Sequence, residues 1–190
     1  MRARIALKIA GIEVEIREIS LRDKPAHMLQ VSPKGTVPVL ILPGIGLQGG
    51  TVIEESLEIM LFALQAHALG GSLDAASRAL IQENDSSFKQ ALDRYKYPER
   101  FPGKSQPEYR EQGDVFLQKL ESLLSKNNYL FGAEPSLADI AIFPFVRQFA
   151  AVDAAWFAQC EYTKLKAWLK DWLDSELFES VMTKHPTFVG

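Results

Sequence analysis

The strongest constraint on the fold is a change in periodicity at Gly70-Gly71. Before it, helical and strand-like patterns alternate: residues 2–10 repeat apolar side chains at helical spacing, and residues 12–16 alternate aliphatic with charged side chains, as in a half-buried strand. After it, every long apolar pattern has helical spacing. The sequence therefore predicts a small α/β domain, residues 1–66, followed by an all-helical domain, residues 72–190.

The remaining elements of the first domain are predicted from its prolines, its glycines and its apolar runs. A short helix is predicted to begin near Pro25, a residue suited to a first helical turn. Two apolar runs, residues 37–42 and 47–53, flank a turn of proline and glycine at residues 43–46 and predict a β-hairpin. A helical pattern follows from Glu55. The predicted order of elements is αβαββα.

The second domain is predicted to contain four main helices. Ser72 is expected to cap the first of them. The third carries SLADIAIFPFVRQFA, residues 136–150, in which Ser136 and Asp139 form a variant of the capping box. Nearly all side chains around this helix are apolar, so we expect it to be buried, with a bend at Pro144.

Composition argues against several classes of function. Lysine and arginine number 21 against 24 acidic residues, without a long run of one sign, so neither nucleic acid nor an anionic membrane is favoured as a partner. No segment approaches the ~20 apolar residues of a membrane helix. His27, His67 and His185 lack the spacing of metal ligands, and we predict no metal site. The single cysteine, Cys160, argues for a reducing compartment, and we expect a cytoplasmic protein.

Pro38 stands at the head of a predicted strand, although proline cannot donate a hydrogen bond to a ladder. One interpretation is an ordinary trans proline at a strand start. The other is a cis Val37-Pro38 bond, which would leave the N–H and C=O of Val37 free to pair with an extended, peptide-like ligand. The local sequence leaves both interpretations open.

The second candidate motif is VIEES, residues 52–56. Glu55 and Ser56 open a helix whose free N–H groups and positive dipole end suit a ligand carboxylate. An acidic side chain beside them can hold an ammonium group, so the motif can bind the head group of an amino acid. The alternative is that Ser56 and the neighbouring acids only cap the helix.

Three segments, taken in their order and spacing, resemble the glutathione transferase superfamily: RARIALKIAGIEVEIREISLRDKPAHMLQVSPKGTVPVL, GTVIEESLEIM and SLADIAIFPFVRQF. The resemblance is closest to its cysteine-type branch, the omega-class and bacterial glutaredoxin-like enzymes. It implies a thioredoxin-like α/β domain at the N-terminus, which binds glutathione, and an all-α domain after it.

Five residues are implied by the resemblance to contact glutathione: Lys24, Val37, Pro38, Glu55 and Ser56. In members of the family the proline is cis, and the backbone of the residue at Val37 pairs with the cysteinyl part of glutathione. The residues at Glu55 and Ser56 hold the γ-glutamyl head. Lys24 faces the glycine carboxylate, and Lys34 is a weaker contributor.

The resemblance also implies an element that this sequence does not contain. Members of the branch begin with a strand and a turn that carries the catalytic Cys, or Ser or Tyr in other classes, whereas this chain starts in the next helix. We therefore expect the nucleophile upstream of Met1, through a misassigned start or a gene change, and a sheet without its first strand. The segment at residues 12–16 would then be displaced, close on the strand at 37–42, or pair with a second chain. Arg2 and Arg4, at the positive end of a helix, fit a site for a thiolate.

The function implied is glutathione conjugation, or thiol transfer and deglutathionylation, on an unknown electrophile or mixed disulfide by a homodimer. Dehydroascorbate reduction uses the same machinery and is not separated by sequence. The alternative is a non-catalytic glutathione-transferase-like binding or scaffolding module, because a fold alone does not fix a function. Four aromatic residues are candidates either for a hydrophobic substrate site or for the core: Tyr95, Tyr97, Phe101 and Phe145.

Overall fold

The computed structural model describes residues 1–44, 50–65, 67, 69 and 73–188. The chain divides into two compact units, Met1–Gly71 with Glu176–Gly190, and Ser72–Ser175. The sequence assigns the last fifteen residues to the helical domain, but their contacts lie in the first unit. The guanidinium of Arg4, for example, donates a hydrogen bond to the carbonyl of Val181 at 3.4 Å.

Unit 1, the first of these, contains α1 (Arg2–Ile9), α2 (Ala26–Val31), β1 (Val39–Ile41), β2 (Val52–Glu54) and α3 (Ser56–Leu64). Unit 2, the second, contains α4 (Ala75–Glu83), a π-helical turn (Asn84–Phe88), α5 (Lys89–Lys96), a 3-10 turn (Pro98–Arg100), α6 (Gln106–Leu124), α7 (Leu137–Val152), α8 (Ala154–Gln159) and α9 (Thr163–Leu173). A last helix, α10 (Glu176–Val181), returns to unit 1. Asp74 caps α4 by accepting from Ser77 N at 2.7 Å; the predicted cap, Ser72, lies outside the described residues.

Among the described residues, the sheet of unit 1 consists of β1 and β2. The strands are antiparallel, with Val39 opposite Glu54 and Ile41 opposite Val52. The hairpin predicted from sequence is therefore present in these strands. Half of its predicted turn and the start of its second predicted strand fall at residues 45–49, outside the described residues.

The strand predicted at residues 12–16 is wrong. This segment is irregular, and Ile12 and Val14 remain 36% and 40% exposed. Alternating side chains produce a strand only where a neighbouring backbone supplies hydrogen bonds, and in the described sheet β1 and β2 bond to each other. Beyond this segment, at Glu18, the backbone carbonyl accepts a hydrogen bond from the amide of Phe188 at 2.7 Å. Among the described residues, this segment is therefore not part of the sheet.

The core of unit 1 lies between α1 and α3. Ile5 and Ala6 of α1 are fully buried, as are Met60 and Leu64 of α3. Their apolar faces meet at helical spacing, so packing against α1 fixes α3 and thereby its N-terminus, which begins directly after β2.

The core of unit 2 is organised by the carboxylate of Asp139, which has no exposed surface. It accepts hydrogen bonds from Ser136 N at 2.9 Å, Ser136 Oγ at 2.5 Å, Leu130 N at 3.0 Å and Trp168 Nε1 at 2.8 Å. The predicted capping box is confirmed and extends to a tertiary contact with α9. Burial raises the pKa of Asp139, and the hydrogen bonds from Ser136, Leu130 and Trp168 oppose that rise.

We expect Asp139→Ala to lower the free energy of unfolding by about 3 kcal/mol or more, because the donors on Leu130, Ser136 and Trp168 lose the acceptor that they have among the described residues. Denaturant unfolding followed by tryptophan fluorescence measures this, since all three tryptophans lie in unit 2. Asp171→Ala, an exposed position on α9, is the matched control and should stay within about 0.5 kcal/mol of wild type. Equal losses in the two variants would contradict the role given to Asp139.

Candidate functional site

The structure brings four of the five predicted site residues to one end of the β1–β2 pair. Val37-Pro38 lies just before β1, and Glu55-Ser56 lies just after β2. Because Val39 is opposite Glu54 in the antiparallel register, the start of β1 and the end of β2 lie side by side. The two dipeptides therefore border one surface of unit 1.

The Val37-Pro38 peptide bond is cis, the second of the two interpretations left open by the local sequence. Val37 is 48% exposed. Within the described parts of the chain, neither its N–H nor its C=O has a hydrogen-bond partner. A backbone with a free donor and a free acceptor can pair with an extended ligand as a strand pairs with its neighbour.

The N-terminus of α3 is open. Glu55 is the N-cap residue, and its side chain makes no capping hydrogen bond. Its backbone has φ 62° and ψ 127°, a positive φ that few residues other than glycine adopt. Ser56, half-buried, begins the helix, so its hydroxyl and the first-turn N–H groups are suited to an anion.

An ion cluster that sequence reasoning missed lies beside Glu55. The hydroxyl of Ser32, fully buried, donates to Glu54 Oε1 at 2.5 Å. Lys34 Nζ lies 3.5 Å from Glu54 Oε2 and 3.4 Å from Glu55 Oε1. The hydrogen bond from Ser32, with a smaller contribution from Lys34, holds the pKa of Glu54 below its ordinary value, although partial burial opposes this. The carboxylates of Glu54 and Glu55 thus form a binding site for a cation.

Lys24 belongs to the same region. A Cβ placed on Gly35 would lie 3.4 Å from Lys24 Nζ, so the ammonium approaches the loop that leads to Val37. Gly35 has φ +60°, which a side chain would strain. Lys24 is half-buried, and no carboxylate of the described residues lies within 4.0 Å of its Nζ. It is therefore available for a ligand carboxylate.

Arg4, which the sequence suggested as part of a thiolate site, is bound to other groups of unit 1. Arg4 forms an ion pair with Glu18 as well as its hydrogen bond to Val181, so partners within unit 1 account for its charge. In the described parts of the chain, no group of three metal-ligating side chains occurs. No helix in those parts is both long and apolar enough to span a bilayer.

The four candidate aromatic residues do not share one environment. Tyr95 is 1% exposed and packs on Phe149 with ring centroids 4.8 Å apart, so it belongs to the core of unit 2. Phe145 is half-buried in α7. Tyr97 lies under the guanidinium of Arg100 at 4.4 Å, near the exposed Phe101.

The titration of Glu54 tests the ion cluster. We expect Ser32→Ala to raise the pKa of Glu54 towards 4.5, and to raise it more than Lys34→Gln does, because the hydrogen bond from Ser32 is the larger cause of the shift. Carboxyl carbon NMR on the folded protein measures both variants. Since the pKa is lowered by folding, the stabilisation is fully present above the unfolded value and disappears as the pH falls through the folded one. A larger rise in Lys34→Gln would reverse this assignment.

Comparison with known proteins identifies the family. A model of the glutathione S-transferase N-terminal domain matches residues 1–71, and one of the glutathione S-transferase C-terminal domain matches residues 104–171. Glutathione S-transferase U19 of Arabidopsis thaliana is 28% identical over 183 residues, covering 93% of this chain and 81% of that protein. The probable glutathione S-transferase parA of Nicotiana tabacum is 27% identical over 183 residues, covering 93% and 80%.

Solved structures agree in fold. A glutathione transferase family member from Pseudomonas fluorescens, crystallised with two glutathione bound, superposes with a TM-score of 0.79 at 17% identity, covering 95% of this chain and 86% of that one. A glutathione transferase from Burkholderia graminis gives 0.78 at 18% identity, covering 95% and 81%. With one α/β unit and one helical unit, and with matches to both domain models of the family, the chain belongs to the glutathione S-transferase superfamily.

Proposed function

We propose that this chain binds glutathione at the surface formed by Val37-Pro38 and Glu55-Ser56, and transfers it to an electrophile or exchanges it with a mixed disulfide. The observation that carries the proposal is the free backbone of Val37, next to the cis proline, at the same end of the β1–β2 pair as the open N-terminus of α3. The solved relatives that contain glutathione support the choice of ligand.

Each end of glutathione has a group of matching charge. Its γ-glutamyl ammonium suits the carboxylate of Glu55, and the neighbouring α-carboxylate suits the hydroxyl of Ser56 and the N–H groups of the first turn of α3. Its cysteinyl residue has one N–H and one C=O to pair with Val37. Its glycine carboxylate suits Lys24, which has no carboxylate partner of its own among the described residues. The site residues are therefore proposed to act as the resemblance implies, within the domain predicted at residues 1–66.

Lys34 bridges the carboxylates of Glu54 and Glu55. Its side chain is 57% exposed and its distances to both carboxylates exceed 3.3 Å, so these are surface ion pairs of the weak kind. A ligand ammonium can replace Lys34 Nζ without loss of a buried interaction. In the proposal, Lys34 keeps the two carboxylates close together until glutathione arrives.

Calorimetric titration with glutathione tests the site. We expect saturable binding to the wild-type chain, and a Glu55→Ala, Ser56→Ala double variant should weaken it at least about tenfold, because charge-assisted hydrogen bonds at both groups of the γ-glutamyl head are lost. Glu58→Ala, an exposed acid two residues beyond the pair in the first turn of α3, is the matched control and should bind normally. Absence of binding to the wild type would instead favour the non-catalytic scaffolding module.

We propose further that the protein is a cytoplasmic homodimer of the cysteine-type, omega-like branch. The support is the resemblance of the three quoted segments to that branch. Enzymes of this type use a thiolate that attacks the glutathione sulfur of a mixed disulfide, which forms an enzyme–glutathione disulfide and releases the other thiol. A second glutathione then attacks this disulfide, which forms glutathione disulfide and restores the thiolate. The single cysteine, Cys160, lies in unit 2 and donates from Sγ to the carbonyl of Phe157 at 3.0 Å, so it is not one of the residues proposed to bind glutathione.

Alkylation of protein purified from its native source tests the cysteine-type chemistry. Iodoacetamide should abolish deglutathionylation of a glutathione–cysteine mixed disulfide, because the thiolate is the nucleophile. Peptide mapping by mass spectrometry locates the label whose attachment abolishes the activity. Full activity after complete alkylation would contradict the cysteine-type assignment while leaving the glutathione site itself untouched.

A further inference from the structure

The turn at residues 32–35 holds a lysine against the acidic pair of unit 1. The amide of Gly35 donates to the carbonyl of Ser32 at 2.9 Å, which closes the turn around Lys34. The hydroxyl of the same Ser32 donates to Glu54 Oε1 at 2.5 Å. One fully buried residue therefore fixes both the backbone that carries Lys34 and the carboxylate that Lys34 faces.

The ammonium of Lys34 is shared between two carboxylates. Its Nζ lies 3.4 Å from Glu55 Oε1 and 3.5 Å from Glu54 Oε2, so it is nearly equidistant from them. The hydrogen bond to Glu55 and the charge of Glu54 raise the pKa of Lys34, so the side chain stays protonated at neutral pH. A second cation at the same point would be repelled by the first.

Glu54 does not need Lys34 to keep its place. It is opposite Val39 in the β1–β2 register, and its carboxylate is held by the buried hydroxyl of Ser32. The side chain of Glu54 is 26% exposed, against 57% for Lys34. Lys34 is therefore the more mobile partner, and it can leave while the carboxylate of Glu54 remains in position.

We propose that Lys34 is an internal competitor at this site: its ammonium and the α-ammonium of a γ-glutamyl ligand bind the Glu54–Glu55 pair in turn. Lys34 then lowers the affinity for ligands that carry this ammonium and not for ligands that lack it. The inference rests on the proposed function, which places the γ-glutamyl head at Glu55. It adds a residue that sets how strongly the site selects for a free α-ammonium.

The size of the effect follows from the weakness of the contact. The apparent affinity of a site is reduced by the fraction of molecules in which the site is open. Surface ion pairs such as those of Lys34 are closed in many molecules but not in nearly all of them. We therefore expect Lys34 to reduce the affinity for an ammonium ligand about threefold.

Two alternatives predict a different result. The family resemblance makes Lys34 a weaker contributor to ligand binding, and loss of its charge would then weaken binding of every anionic ligand. In the second alternative each cation keeps one carboxylate, Lys34 with Glu54 and the ligand with Glu55. Loss of Lys34 would then not change the selection for an ammonium group.

Calorimetric titration of the full chain with two ligands separates these possibilities. Glutaryl-cysteinylglycine has the structure of glutathione without the ammonium group. We expect Lys34→Gln to raise the ratio of the glutathione affinity to the glutaryl-cysteinylglycine affinity about threefold. Lys34→Arg keeps the charge and should not raise this ratio. Lys8→Gln removes the charge of an exposed lysine in the last turn of α1 and should keep the wild-type ratio.

Displacement of the lysine has its own signal. The carbon NMR resonance of Lys34 Cε should shift more when glutathione is added than when glutaryl-cysteinylglycine is added. The proposal is overturned if the two ligands shift this resonance equally, if Lys34→Gln leaves the affinity ratio unchanged, or if it weakens both ligands alike. In these cases the glutathione site still stands when the Glu55→Ala, Ser56→Ala variant loses binding. Absence of glutathione binding to the wild type overturns the proposed function and this inference with it.

Discussion

The antiparallel pairing of β1 with β2 is the constraint on which the candidate site depends. Side chains of a strand alternate between the two faces of a sheet, so a slip of one residue would turn every side chain of β2 to the opposite face. Glu54 would then leave Ser32 and Lys34, and Glu55 would no longer stand beside the start of β1. The register therefore fixes the positions of the Glu54 and Glu55 carboxylates and of the Val37 backbone, although Val37 and Glu55 themselves lie outside the ladder.

The site combines firmly held and exchangeable groups. The hydroxyl of Ser32 is buried, so the carboxylate of Glu54 has a fixed partner on the protein side. Lys34 is largely exposed and bridges two carboxylates from solvent. Such an arrangement suits a reversible ligand, because the buried contact preserves the geometry while the exposed one can be replaced at little cost.

Local sequence predicted those features that depend on local geometry. The capping box at Ser136 and Asp139 follows from the spacing of two side chains within one helical turn, and it is confirmed. The strand at residues 12–16 was wrong because its pattern records which side chains are apolar, and the pattern cannot show whether a neighbouring backbone is there to pair with it.

The cis form of Val37-Pro38 was implied by the family resemblance and not by the two residues themselves, since most X-Pro bonds are trans. The hydrogen bond of Ser32 to Glu54 was missed because it joins residues 22 apart and exists only in the observed register. The contact of Asp139 with Trp168, 29 residues away, was missed for the same reason.

Unit 1 is discontinuous along the chain. Its N-terminal part is tied to the C-terminal end of the protein by Arg4 with the carbonyl of Val181 and by Glu18 with the amide of Phe188. During synthesis on a ribosome, all of unit 2 is translated before these partners exist. Unit 2 can therefore complete its fold first. Unit 1 can form its contacts with Val181 and Phe188 only after these residues have left the exit tunnel. A protein cut shortly before α10 would keep every residue proposed to hold glutathione and still lack the contacts that close the unit around them.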